Sequence, residues 1–132
     1  MSTRSAIIVN TADGKWRVVY CHHDGYIDGV GRTLFKYYNS QERADALVEH
    51  GDMSSLAENC DAPPGHSYEK PVKGHTVYYG RDRGEIDADG HTVETLDLAL
   101  KLARDISHYV YVFKEGAWFY GDSLVDLGEA LR

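Results

Sequence analysis

Residues 109–120 leave this chain little conformational choice. Tyr109-Val-Tyr-Val-Phe and Ala117-Trp-Phe-Tyr are β-branched and aromatic runs joined by Lys114-Glu-Gly116, a short turn ending in glycine, and that combination specifies a β-hairpin. The chain also opens on a hairpin pattern: Ser5-Ala-Ile-Ile-Val-Asn, the turn dipeptide Asp13-Gly14, then Trp16-Arg-Val-Val-Tyr-Cys returning. Just before the last hairpin, Glu94 to Ile106 carries Leu96, Leu98, Ala99, Leu100, Leu102, Ala103 and Ile106. Apolar side chains around so much of a helix place it across a sheet, with Thr92 as its cap. Hairpins separated by helices imply an α+β fold: a single antiparallel β-sheet built from hairpins, with helices packed mainly on one face.

The intervening chain is read by the same rules. Gly25, Gly29 and Gly31 fall close together in 24–31, which marks a loop needing positive φ or close approach. Leu34, Tyr37 and Tyr38 then recur at helical spacing. Ser40 is placed to cap a second helix carrying Ala44, Leu47 and Val48 and ended by Gly51, with Met53 to Leu56 forming one further turn. All three prolines lie within 59–73, read as a long surface connection. His75-Thr-Val-Tyr-Tyr is a strand, Asp89-Gly90 a turn, and Leu124 to Leu131 a short terminal helix. With 132 residues, the whole of 1–132 is expected to form one domain.

Charge narrows the function. Fourteen Lys and Arg against 21 Asp and Glu leave a formal net charge of −7, which argues against general binding of a nucleic-acid backbone. No apolar run has the roughly 20 residues of a membrane span, so no membrane is expected and the location implied is cytoplasmic. Cys21 and Cys60 show no metal-binding or disulfide spacing and read as free thiols. Cys21 as a nucleophile would need a base on its own strand face, and His22 points to the other. The ten tyrosines, against three phenylalanines, suit a sheet–helix layer with hydroxyls at its rim, or else a stacking platform or partner surface.

Two polar segments follow strands. His22-His-Asp-Gly-Tyr26 runs through Gly29-Val-Gly31 towards a helix start, and Arg81-Asp-Arg-Gly-Glu85 follows the third strand. Strand ends hold binding groups on a rigid base. Gly29 and Gly31 could present backbone N–H groups to an anion, although the run lacks the third glycine of a dinucleotide fingerprint and the lysine of a P-loop. Arg81 and Arg83 could clamp a phosphate or carboxylate, the bland alternative being a solvated loop of mutual ion pairs. His22, His23 and Asp24 are too divergent for a metal site without a second ligand pair, so no metal and no cofactor is called for.

The stretches Ser2-Thr-Arg-Ser-Ala-Ile7, Val19-Tyr-Cys-His-His-Asp-Gly-Tyr26, Gly29-Val-Gly-Arg-Thr-Leu34 and Tyr79-Gly-Arg-Asp-Arg-Gly-Glu85, with the hairpin at 109–120, resemble a family of small uncharacterised proteins of bacteriophages, prophages and other mobile elements. His23 departs from the family pattern, which carries a large aromatic there. The resemblance groups Arg4, His22, Asp24, Tyr26, Arg81, Asp82 and Arg83 as polar positions without a packing role. It implies a phage or mobile-element accessory protein that acts by binding a host protein and inhibits a host defence component. Asp45, Glu49, Asp52 and Glu58 would then supply an acidic face that imitates nucleic acid.

The rival reading is a site for a small phosphorylated ligand such as a nucleotide. Arg4, Arg81, Asp82, Arg83, Tyr26, Gly29 and Gly31 would bind it, with His22 as acid or base and Asp24 orienting it. This requires those residues to converge on one pocket. An unpaired edge strand also leaves pairing with a second copy open.

Overall fold

The computed structural model describes residues 3–132; Ser2, which begins the first stretch of the resemblance, lies outside the described residues. The opening hairpin forms as the pattern demands, with β1 (Ser5–Asn10) antiparallel to β2 (Trp16–Cys21) around a turn at Asp13-Gly14. The last hairpin pairs β6 (Tyr109–Lys114) with β7 (Ala117–Tyr120). Its two turn residues, Glu115 and Gly116, both have positive φ, the twist that suits a tight hairpin.

The sheet that joins these hairpins is mixed rather than antiparallel. Among the described residues it has eight strands, ordered β4 (Val77–Tyr78), β3 (Met53–Ser55), β2, β1, β6, β7, β8 (Val125–Asp126), with β5 (His91–Val93) also pairing with β2. After β2 the chain passes through one π-helical turn (Ile27–Gly31), α1 (Arg32–Tyr37) and α2 (Gln41–Glu49), then enters β3 (Met53–Ser55) parallel to β2. After β5 (His91–Val93), α4 (Leu96–Ile106) carries the chain across the face and into β6, parallel to β1. A helix laid across a sheet returns the chain to the end it left, so strands joined this way run parallel. Local hairpin patterns carry no signal of that pairing.

The helices cover both faces, which corrects the expected one-sided packing. α4 sits over Ala6, Ile8, Val18, Val110 and Val112 through Ala99, Leu100 and Ala103. The opposite face, centred on Ile7, Val9, Val19 and Phe113, is covered by Leu34 of α1, Leu47 of α2 and Leu127 of α5 (Leu127–Ala130). β1 is therefore buried on both sides, which explains its unbroken apolar run. Tyr38, Tyr78 and Tyr111 lie inside that second core rather than at its rim. Each donates its hydroxyl to a carbonyl, of Ala57, Leu47 and Gly25 respectively.

Three further expectations change. Residues 53–55 form the strand β3 instead of a helical turn, because they pair with Cys21 and with β4 (Val77–Tyr78). Thr92 lies in β5, and α4 is capped three residues later, where Thr95 Oγ1 accepts the Leu98 N–H at 3.2 Å. The terminal segment begins with β8 (Val125–Asp126) and only then turns helical. No helix among the described residues is long and apolar enough to cross a membrane.

Candidate functional site

On the α4 side of the sheet, the strand ends nearest the C-terminus of α4 carry polar residues. Strand alternation puts Tyr20 and His22 on this face beyond Val18, since Tyr20 pairs with Ala6 of the same face. Arg4 extends β1 beside His22, and its carbonyl accepts the N–H groups of His108 and Tyr109. A cleft of about 440 Å³ opens here, lined by Arg4, Tyr20, Arg104, Asp105, Ser107 and His108. Its volume falls in the range of small-molecule sites.

The electrostatics of the cleft are uneven. Arg104 is already paired with Asp122 at 2.7 Å. The Arg4 guanidinium makes no ion pair or hydrogen bond among the described residues. Asp105 and the last carbonyls of α4 set a negative wall opposite it, softened where the Ser107 hydroxyl donates to the Ala103 carbonyl at 2.7 Å. An anion is therefore favoured at the Arg4 end.

Tyr20 and His22 form a hydrogen-bonded pair, Tyr20 Oη to His22 Nδ1 at 2.6 Å. Burial, helped by the neighbouring His23 and Arg4, holds the imidazole below its ordinary value, and burial raises the Tyr20 phenol. Both are neutral near pH 7, so the pair brings polar hydrogen-bonding groups to the edge of the cleft without net charge.

Asp24, Tyr26, Gly29 and Gly31 do not join this cleft; they build the turn on the other side of the strand end. Asp24 takes a positive φ of 56° and its carbonyl accepts the Val30 N–H at 2.8 Å. Gly25 is required because a Cβ there would sit 2.7 Å from the Thr3 carbonyl, and a Cβ on Gly29 would overlap the Asp24 carbonyl. Gly31 lies against the Tyr111 ring. The glycines thus answer to close packing, and their N–H groups meet protein: Gly25 donates to Thr3 and Gly29 to Tyr26.

Arg81 and Asp82 lie elsewhere again, in α3 (Tyr79–Arg83), where the sequence predicts a loop. Arg81 donates to the carbonyls of Cys60 (2.6 Å) and Thr76 (3.2 Å), pairs with Asp82 at 2.9 Å, and lies over the Tyr78 ring. Asp82 also accepts the Tyr78 N–H at 2.8 Å and faces His66 at 3.3 Å. Burial opposes its charge, yet the bonds from Arg81 and Tyr78 outweigh that and hold the carboxyl below its ordinary value. His66 accepts the Val72 N–H on Nδ1 at 2.9 Å, so its ring proton sits on Nε2, directed at Asp82 and the Thr76 carbonyl. These residues fasten the proline-rich connection to β4 and α3. Arg83 lies over the Tyr68 ring at 4.7 Å.

Of the predicted site residues, the lining of the cleft includes Arg4 alone; His22 stands behind it, bonded to Tyr20, and Asp24, Tyr26, Gly29, Gly31, Arg81, Asp82 and Arg83 lie outside as well. Sequence reasoning passed over Tyr20, although its i, i+2 spacing to His22 on one strand was visible. Arg104, Ser107 and His108 had no local signal, because only the parallel β1–β6 pairing brings them to Arg4. Cys21 is buried in the opposite core and its thiol is pushed up to about 12, which makes it inert as a nucleophile. The acidic residues of 45–58 have different partners, with Asp45 and Glu49 one turn apart on α2. Asp52 is half-buried and accepts the Tyr20 N–H at 2.9 Å, Asp45 accepts from the Gln41 amide, and Glu58 lies beside Gly74. Among the described residues no group of three or more His, Cys, Asp and Glu is placed to hold a metal ion. Comparison with protein-family models, with curated proteins and with solved structures finds no match to this chain.

Proposed function

We propose that the protein works by binding a small phosphorylated ligand in the cleft beside Arg4, with the phosphate on the Arg4 guanidinium and the Tyr20–His22 pair at its flank. The carrying observation is the Arg4 guanidinium, which has no anionic partner among the described residues at the mouth of a cleft of about 440 Å³. Arginine matches phosphate geometry through paired donors. Tyr20, in the lining, meets the ligand, and His22 positions its hydroxyl. An accessory role for a mobile element, inhibiting a host defence component, draws its support from the resemblance and the net charge of −7. Of the acids at 45–58, Asp45 and Glu49 stand one turn apart on α2, while Asp52 is half-buried and engaged with Tyr20.

Titration calorimetry in a phosphate-free buffer tests the cleft, with inorganic phosphate and ribose 5-phosphate as probes. Both are expected to bind, and Arg4→Ala to weaken them at least tenfold. A saturating probe at about 100 times its dissociation constant should also add roughly 2.7 kcal/mol to stability. Absence of binding at millimolar probe, or binding untouched by Arg4→Ala, overturns the proposal.

A further inference from the structure

The ten tyrosines sort into distinct environments. Tyr38, Tyr78 and Tyr111 are core residues, and Tyr109 and Tyr120 pack against that core. Tyr20, Tyr68 and Tyr79 lie outside both apolar cores, yet each is half-buried. These last three are neighbours in a row. Asp52 ties two of them together, its carboxylate accepting the Tyr20 N–H and its carbonyl accepting the Tyr79 N–H at 3.1 Å. The Tyr79 ring lies 6.1 Å from that of Tyr68, at 33° between planes.

The fold explains why this row is not covered. α4 packs over β1, β2, β5 and β6. The adjoining strip of the same face is made by the end of β2, by β3 and by the end of β4. Met53 and Tyr78 are paired neighbours whose side chains enter the opposite core. The residues after them, Ser54 and Tyr79, consequently turn to the α4 side. Tyr20 belongs both to this strip and to the lining of the cleft. The row therefore begins at the anion position and leads away from it. With strands about 4.8 Å apart, β1 and β4 are separated by roughly 14 Å.

We infer that the ligand of the cleft is a nucleotide, its phosphate on Arg4 and its base lying on the tyrosine row at Tyr20 and Tyr79. The inference rests on the phosphate reading above and adds the chemistry of the other end. Phenol faces are well suited to stack a planar heterocycle without regard to its hydrogen-bonding edge. The row ends at Arg83, which already lies over Tyr68 and closes the shelf with a second cation. A sugar phosphate without a base would leave the shelf empty.

Calorimetry with adenosine 5′-monophosphate and ribose 5-phosphate separates the two claims, because these probes differ only in the base. The nucleotide is expected to bind at least tenfold more tightly. Tyr79→Ala should bring its affinity down to that of ribose 5-phosphate while leaving ribose 5-phosphate unchanged, a result that also shows the variant to be folded. Tyr79→Phe, which keeps the ring, should retain the preference. Equal binding of the two probes, or a preference that survives both Tyr79→Ala and Tyr20→Ala, overturns the nucleotide assignment and leaves the phosphate reading standing. Failure of both probes to bind overturns both.

Discussion

Among single residues, Asp82 is the one most enclosed by opposite and polar partners. Its side chain is 2% exposed and that of His66 is fully buried, so each lone pair and proton must find its partner within the protein. Arg81 supplies the charge, the Tyr78 N–H supplies a backbone donor, and His66 closes the set with Nε2–H. Asp82→Asn keeps the shape, but it removes the charge and turns an amide N–H towards donors. Leaving Arg81 without its carboxylate is expected to destabilise the fold by about 3 kcal/mol, measured by urea unfolding at pH 7. The pH dependence follows from the lowered carboxyl. Its stabilisation is complete above the ordinary value of 3.8 and fades as pH falls through the depressed one. The gap between wild type and Asp82→Asn should accordingly narrow below pH 4.

At the level of elements, local chemistry and tertiary pairing compete for the same residues. Thr92 and Thr95 both precede the apolar run of α4, and either could cap it. Thr92 is taken by β5, where it pairs with Arg17, and Thr95 makes the capping bond to Leu98. Thr95→Ala should therefore cost about 1 kcal/mol, while Thr92→Ala, at an exposed position of a short edge strand, should change stability by less than about 0.5 kcal/mol. Equal effects in chemical denaturation would contradict this assignment. The same competition explains residues 53–55. Their composition permits a helical turn, but the parallel pairing with Cys21 recruits them into the sheet. The Asp24–Gly31 turn shows the reverse case, in which local demands win. Its glycines were visible in the sequence as a place of special backbone geometry, and close packing against Thr3, Asp24 and Tyr111 accounts for them.

For the molecule as a whole, β1 is the organising strand. It lies between β2, six to sixteen residues away across the hairpin, and β6, about a hundred residues on. Both of its faces are buried, one under α4 and the other under the core with Phe113 and Leu34. A strand so placed cannot be satisfied by its hairpin partner alone, because its apolar faces and its second backbone edge need α4 and β6. A fragment ending at Val93 should therefore show no cooperative urea transition by circular dichroism. A sharp transition in that fragment would show the amino-terminal half to be an independent unit.

The sequence by itself determined both hairpins, the presence of helices after Gly31, after Ser40 and ahead of the last hairpin, and the Ser40 cap. These depend on side-chain alternation, turn residues and capping chemistry within a few positions of one another. Tertiary structure alone decided that the sheet is mixed, that helices cover both faces, and that Arg4 meets Arg104 and His108 while Arg81 is enclosed with Asp82 and His66. Strand alternation could place Tyr20 and His22 on one face, but no local pattern states which strand will lie beside it. That choice is settled by which pairing lets α4 bury its apolar face and β1 fill both of its edges. The balance is struck between segments a hundred residues apart.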